Sequence, residues 1–133
     1  MSDVTFAELV LDSYYDELGA YARYMRMAGL APTEEARRIV TMNAQDEFRH
    51  AESFEDIYKE LTGAQPPPRG MYVTDPEESF EGLLRLQLAD ELADTAKYKN
   101  MYLMTTNPGY RDILFGAAQD ELLHTMLDTY LLM

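Results

Sequence analysis

The chain repeats itself. Shifting residues 16–50 by 74 lays them on 90–124 without a gap, and thirteen of the thirty-five positions are identical. Asp16-Glu17-Leu18 meets Asp90-Glu91-Leu92, Ala22 and Tyr24 meet Ala96 and Tyr98, and Met27, Arg37 and Ile39 meet Met101, Arg111 and Ile113. The densest match lays Ala44-Gln45-Asp46-Glu47 and His50 on Ala118-Gln119-Asp120-Glu121 and His124. Amphipathic elements share a pattern of apolar spacing, not runs of identical residues. The chain therefore reads as two copies of one unit, packed about a pseudo-twofold axis.

That unit is a helical hairpin. Thr5 to Glu8 has capping-box spacing, and apolar residues then recur every three or four positions up to Gly29, a natural stop. Leu30-Ala31-Pro32-Thr33 turns the chain, with Thr33 as the next cap, and the second helix runs to Thr62 before Gly63. Residues 64–74 contain Pro66-Pro67-Pro68 and Gly70 and cannot be helical, although Met71-Tyr72-Val73 could form a short strand. Asp75-Pro76-Glu77-Glu78 restarts a helix, and Thr105-Thr106-Asn107-Pro108 turns into the last one. The expectation is an all-α single domain over residues 1–133, with helices at 5–29, 33–62, 76–104 and 108–131. Two short turns give two antiparallel hairpins. The connection at 63–75 is long enough, at ~3.1–3.3 Å per residue, to cross the whole bundle.

The chain carries 24 Asp and Glu against 11 Lys and Arg, a net charge of −13. Surfaces for nucleic acid or anionic membrane need clustered positive charge, so neither partner is expected. The absence of cysteine excludes disulfides, thiolate metal sites and thiol nucleophiles. No stretch resembles a signal peptide or a bilayer span, so a cytoplasmic protein is expected.

The two histidines of the chain each follow a Glu by three residues, Glu47 with His50 and Glu121 with His124. On a helix, such a pair projects from one face. Glu17 and Glu47 are equidistant from the first turn, and Glu91 and Glu121 from the second, so four Glu and two His should meet at mid-bundle. They interrupt otherwise apolar stripes such as Val40, Asn43, Glu47, His50, Phe54, Ile57. Burying four carboxylates together would cost several kcal/mol per charge without a cation. Two divalent ions balance them.

With these six residues and that crossover, the whole chain resembles the ferritin-like di-metal carboxylate superfamily, and within it the rubrerythrin-type domain. That family draws a Glu from each of two helices and Glu-x-x-His from each of the other two. The resemblance implies that Glu47 and Glu121 bridge two metals, that Glu17 and Glu91 are terminal ligands, and that His50 and His124 bind one ion each. It also points to Asp94, three residues after Glu91, as a further carboxylate ligand. Here it is one methylene shorter than in rubrerythrins, and its repeat partner is Ala20. Asp46 and Asp120 would orient the ligand imidazoles, and Tyr24 and Tyr98 would hydrogen-bond a ligand carboxylate.

The implied activity is a di-iron oxidoreductase, with manganese as the other metal this donor set suits. It would reduce hydrogen peroxide or react with O₂. Full-length rubrerythrins resemble this domain joined to a Cys₄ iron module; with no Cys, electrons are expected from a separate donor protein. A homodimer is expected. The rival readings are iron oxidation and storage, an O₂-dependent hydroxylase, and a non-catalytic metal-binding bundle.

Overall fold

Four helices make up the regular structure of the described residues, 5–70 and 78–133, in a computed structural model. They are α1 (Phe6–Leu30), α2 (Glu34–Thr62), α3 (Phe80–Met104) and α4 (Pro108–Leu132). Each starts on a side chain that accepts a backbone N–H the helix cannot satisfy itself. Thr5 and Glu8 close a reciprocal capping box on α1. Thr33, Ser79 and Asn107 accept from the N–H groups of Ala36, Gly82 and Tyr110. Gly63 ends α2 in the left-handed region at φ 73°, its N–H donating to the Lys59 carbonyl at 2.8 Å.

Two boundaries differ from the sequence reading. Gly29 lies within α1, which stops instead at Ala31, held extended by the following Pro32. Glu78 and Ser79, expected inside the third helix, precede it: it begins at Phe80 with Ser79 as its cap. The expected Asp75-Pro76 start and the short strand at Met71-Tyr72-Val73 lie outside the described residues.

Contacts between helices fix the topology. Tyr24 of α1 meets Glu91 of α3, and Tyr98 of α3 meets Glu17 of α1, so these two helices are antiparallel. His50 with Asp120 and Asp46 with His124 make α2 and α4 antiparallel as well. Because α1 and α2 form one hairpin, α3 must run parallel to α2 and start from the far end of the bundle. The connection between them therefore climbs the bundle, and on its way the Pro67 carbonyl accepts from Tyr15 while Arg69 lies 4.7 Å over the Tyr15 ring. This is the ferritin-like arrangement of two hairpins and one crossover.

The apolar core is split in two. Near the α3–α4 turn, Val10, Phe54, Ile57, Tyr98, Met101 and Leu114 form one cluster. Near the α1–α2 turn, Tyr24, Met27, Val40, Ala44, Leu83 and Leu84 form the other. Each large aliphatic or aromatic side chain fully buried here contributes about 1.5–3 kcal/mol. Between the two plugs lies a polar layer sealed from water. No helix among the described residues is long and apolar enough to cross a membrane.

Candidate metal centre

The polar layer contains the six residues marked by the repeat. Glu17, Glu47, Glu91, Glu121 and His124 are fully buried, and His50 nearly so. Their donor atoms form two groups, each lying within 4.8 Å: Glu17, Glu47, His50 and Glu121, and Glu47, Glu91, Glu121 and His124. Glu47 and Glu121 belong to both.

The orientation of each group follows from what holds its outer edge. His50 Nε2 lies 2.8 Å from Asp120 Oδ2, and His124 Nε2 lies 2.9 Å from Asp46 Oδ2. An Nε2–H held by a carboxylate leaves the Nδ1 lone pair free to point inward. Inward they point: His50 Nδ1 is 3.1 Å from Glu121 Oε1, and His124 Nδ1 is 3.0 Å from Glu47 Oε1. The pairing is crosswise, since each Asp serves the histidine of the other hairpin. Tyr98 donates to Glu17 Oε1, while Tyr24, at 3.0 Å, and the Gln87 amide, at 2.7 Å, converge on Glu91 Oε1.

What remains unpaired is informative. Among the described residues, eight buried side-chain atoms have no hydrogen-bond partner, and all belong to these six residues. They are Oε2 of Glu17, Oε2 of Glu91, both oxygens of Glu47, both oxygens of Glu121, and Nδ1 of His50 and of His124. A buried polar atom without a partner costs about 1–3 kcal/mol, more if charged, so eight in one place call for bound cations or, failing them, bound protons. The set is oxygen and imidazole donors with net negative charge, which fits divalent cations and could hold two.

The electrostatics express the same crowding. Burial, with the charge of Glu121, raises the Glu17 carboxyl, and burial with Glu17 and Glu121 raises Glu47 well above the carboxylate range. Burial works against a charge on His50, but the carboxylates of Asp120, Glu121 and Glu17 outweigh it and push it up to about 12. Without cations, the cluster takes up protons to balance itself.

Asp94 is placed differently. It is buried, but it joins neither group and lies 3.6 Å from Lys97 Nζ, facing a cavity of about 250 Å³ lined by Asp16, Gly19, Ala20, Arg23, Asp90 and Ala93. Burial raises its carboxyl to about 7 despite Lys97.

Sequence reasoning missed Asp128, which is fully buried on α4. It accepts from Tyr24 at 2.8 Å and from the Asn43 amide at 3.5 Å. Burial pushes its carboxyl up to about 7. Its position four residues after His124 and seven after Glu121, on one helix face, was the available signal.

No family model matches the chain. It is similar to the uncharacterized protein YhjR of Bacillus subtilis (strain 168), at 27% identity over 117 residues, covering 88% of this chain and 79% of that protein. Among solved structures, it resembles a hypothetical protein of Pyrococcus furiosus with a TM-score of 0.86 and 18% identity, covering 99% of this chain and 90% of the other. That likeness concerns the fold.

Proposed function

We propose that this protein binds two divalent metal ions, iron or manganese, and works as a rubrerythrin-like oxidoreductase that reduces hydrogen peroxide or reacts with O₂. The observation that carries the reading is the set of eight unpartnered donor atoms. Glu17 with His50 and Glu91 with His124 would hold one ion each, with Glu47 and Glu121 shared between them. Two Fe²⁺ ions held there would supply the two electrons that peroxide reduction requires.

The side chains of the chain do the rest. Asp46 and Asp120 fix the imidazole tautomers, so that each Nδ1 is presented rather than its N–H. Tyr24 and Tyr98 each tie one oxygen of a terminal Glu and leave the other free. The two apolar plugs keep bulk water out, which strengthens every charge interaction between them. A cavity of about 160 Å³ between α2 and α4, lined by His50, Ser53, Gly116, Ala117 and Asp120, reaches one of the six residues and would offer a small oxidant an approach. We place the protein in the cytoplasm, with a separate protein as electron donor.

The test is anaerobic addition of hydrogen peroxide to the Fe²⁺-loaded protein, followed by absorbance in stopped flow. Rapid oxidation at one peroxide per two irons supports the reading. Oxidation no faster than in the Glu47→Ala variant contradicts it, and uptake of many more than two irons per chain would favour iron storage.

A further inference from the structure

The two histidines occupy matching places of the repeat, yet only one of them meets the surface. His50 is 7% exposed, whereas His124 is sealed at 0%. The cavity of about 160 Å³ between α2 and α4 accounts for the difference, since the His50 ring lies in its wall beside Ser53, Gly116 and Ala117. The 74-residue shift pairs those three residues with Leu127, Met42 and Asn43. Larger side chains therefore stand on the His124 side where the His50 side has a hydroxymethyl, a hydrogen and a methyl. Asn43 is buried there, with its amide donated to Asp128, and so closes the layer from within.

Charge differs at the two mouths as well. Arg49, Asp112 and Asp120 rim the opening at His50. The Arg49 guanidinium is engaged by the Asp46 carboxylate, which leaves the two acids to set the sign. The repeat partner of Asp112 is Arg38, so the other side carries a cation where this one carries a carboxylate. Negative charge at the mouth of a cleft with low-dielectric walls draws cations in from solution.

We infer that divalent metal ions enter the centre from one side, through the α2–α4 opening at His50, and that Ser53 and Gly116 keep it open. This rests on the metal-binding reading above and adds a route to it. At ~30 Å³ per water, the cavity has room for an ion that keeps part of its hydration. Nothing lies within 4 Å of where a Cβ would stand at Gly116, which gives the His50 ring room to lean aside. Behind the ring, His50 Nδ1 and the carboxylates of Glu17, Glu47 and Glu121 lie within 4.8 Å of one another, so an entering ion exchanges water for protein donors at once. Glu47 and Glu121 also belong to the second group. They can hand an ion on to the His124 position without returning it to solvent.

The cavity between α1 and α3 is the rival route, and its charges argue against it. None of the six donor residues borders it. Its three carboxylates are already matched by cations, Asp90 by Arg23, and Asp16 and Asp94 by Lys97.

Uptake of Co²⁺ by the metal-free full chain, followed in stopped flow by the visible absorbance of the bound ion, tests this. Ser53→Leu with Gly116→Met installs the residues of the His124 side. That pair should slow uptake by about tenfold or more, the effect of a modest added barrier, while elemental analysis still finds two ions per chain. Asp112→Arg should slow uptake by a smaller factor at low ionic strength, and that difference should shrink in high salt. Adding Met42→Ala and Leu127→Ser to the slowed protein opens the other side and should restore much of the lost rate. Circular dichroism should report unchanged helix content throughout. Uptake at the wild-type rate in the Ser53→Leu, Gly116→Met protein overturns the inference and leaves the two-ion reading standing. A wild type that binds no Co²⁺ overturns both.

Discussion

The two halves of the centre agree in their donor atoms and differ in what surrounds them. By the repeat, Glu17 corresponds to Glu91, Glu47 to Glu121, His50 to His124 and Tyr98 to Tyr24. Asp46 corresponds to Asp120 as well, but other neighbours of the centre differ between the halves. On the His124 side, Asp128, Asn43 and Gln87 form a buried polar network around Tyr24 and Glu91. Their repeat partners are Phe54, Ala117 and Ser13. Phe54 packs its ring 5.2 Å from Tyr98, and Ser13 donates to its own helix at the Leu9 carbonyl. Conversely, Asp94 stands where the first hairpin has Ala20. The donor set is the same in both halves, whereas the side chains packed around it differ. Glu91 is held by two donors and Glu17 by one, so the two metal positions should be unequal, with the His124 side the tighter.

Breaking the shared ligands should erase the comparison altogether. Glu47→Ala or Glu121→Ala removes donors from both groups, and metal content measured by elemental analysis should fall from two ions per chain to near zero. Glu17→Ala should instead leave one ion, on the His124 side.

Metal removal should come next in size. At metal concentrations about 1,000-fold above Kd, each ion bound to the folded state alone adds about 4 kcal/mol. For a domain of this length that is a rise in Tm of about 10–20 °C, readable by calorimetry with and without chelator.

The crosswise Asp contacts sharpen the comparison. Asp46→Asn should weaken the His124 position by about 10–100-fold and spare His50, and Asp120→Asn should do the reverse. If each variant instead weakened the position of its own hairpin, the trans pairing would be wrong.

The smallest effect is a pH dependence. Asp128 sits near 7 in the fold against an ordinary value near 3.8, so the folded state binds its proton more tightly than the unfolded state does. Its contribution to stability is full below about pH 4 and is lost as pH rises through 7. Metal-free protein should therefore lose stability between pH 4 and 8, part of it through Asp94, which sits at about 7 for the same reason. Asp128→Asn should flatten that slope in urea titrations across the range.

Much of this was legible in the sequence because it rests on local rules and on duplication. Thr5, Thr33, Asn107 and Gly63 announce helix ends by chemistry that acts within four residues. The equal distance of each Glu pair from its turn places all four at one level without any knowledge of packing. Other features depend on how the hairpins meet. Nothing in the order of residues says that Asp46 serves His124 rather than His50, because that depends on the axis relating the two units. Asp128 escaped notice because its repeat partner is Phe54, so the signal that exposed the ligands was silent there. Gly29 misled for a simpler reason: the proline three residues later, at Pro32, dictates the stop.

The central claim is that the duplicated Glu and His set holds two ions. Anaerobic loading of the metal-free protein with Fe²⁺ or Mn²⁺, followed by desalting and elemental analysis, tests it most directly. The account predicts two ions per chain in the wild type and a rise of the tighter site to saturation first. One ion per chain, or none retained, would contradict it.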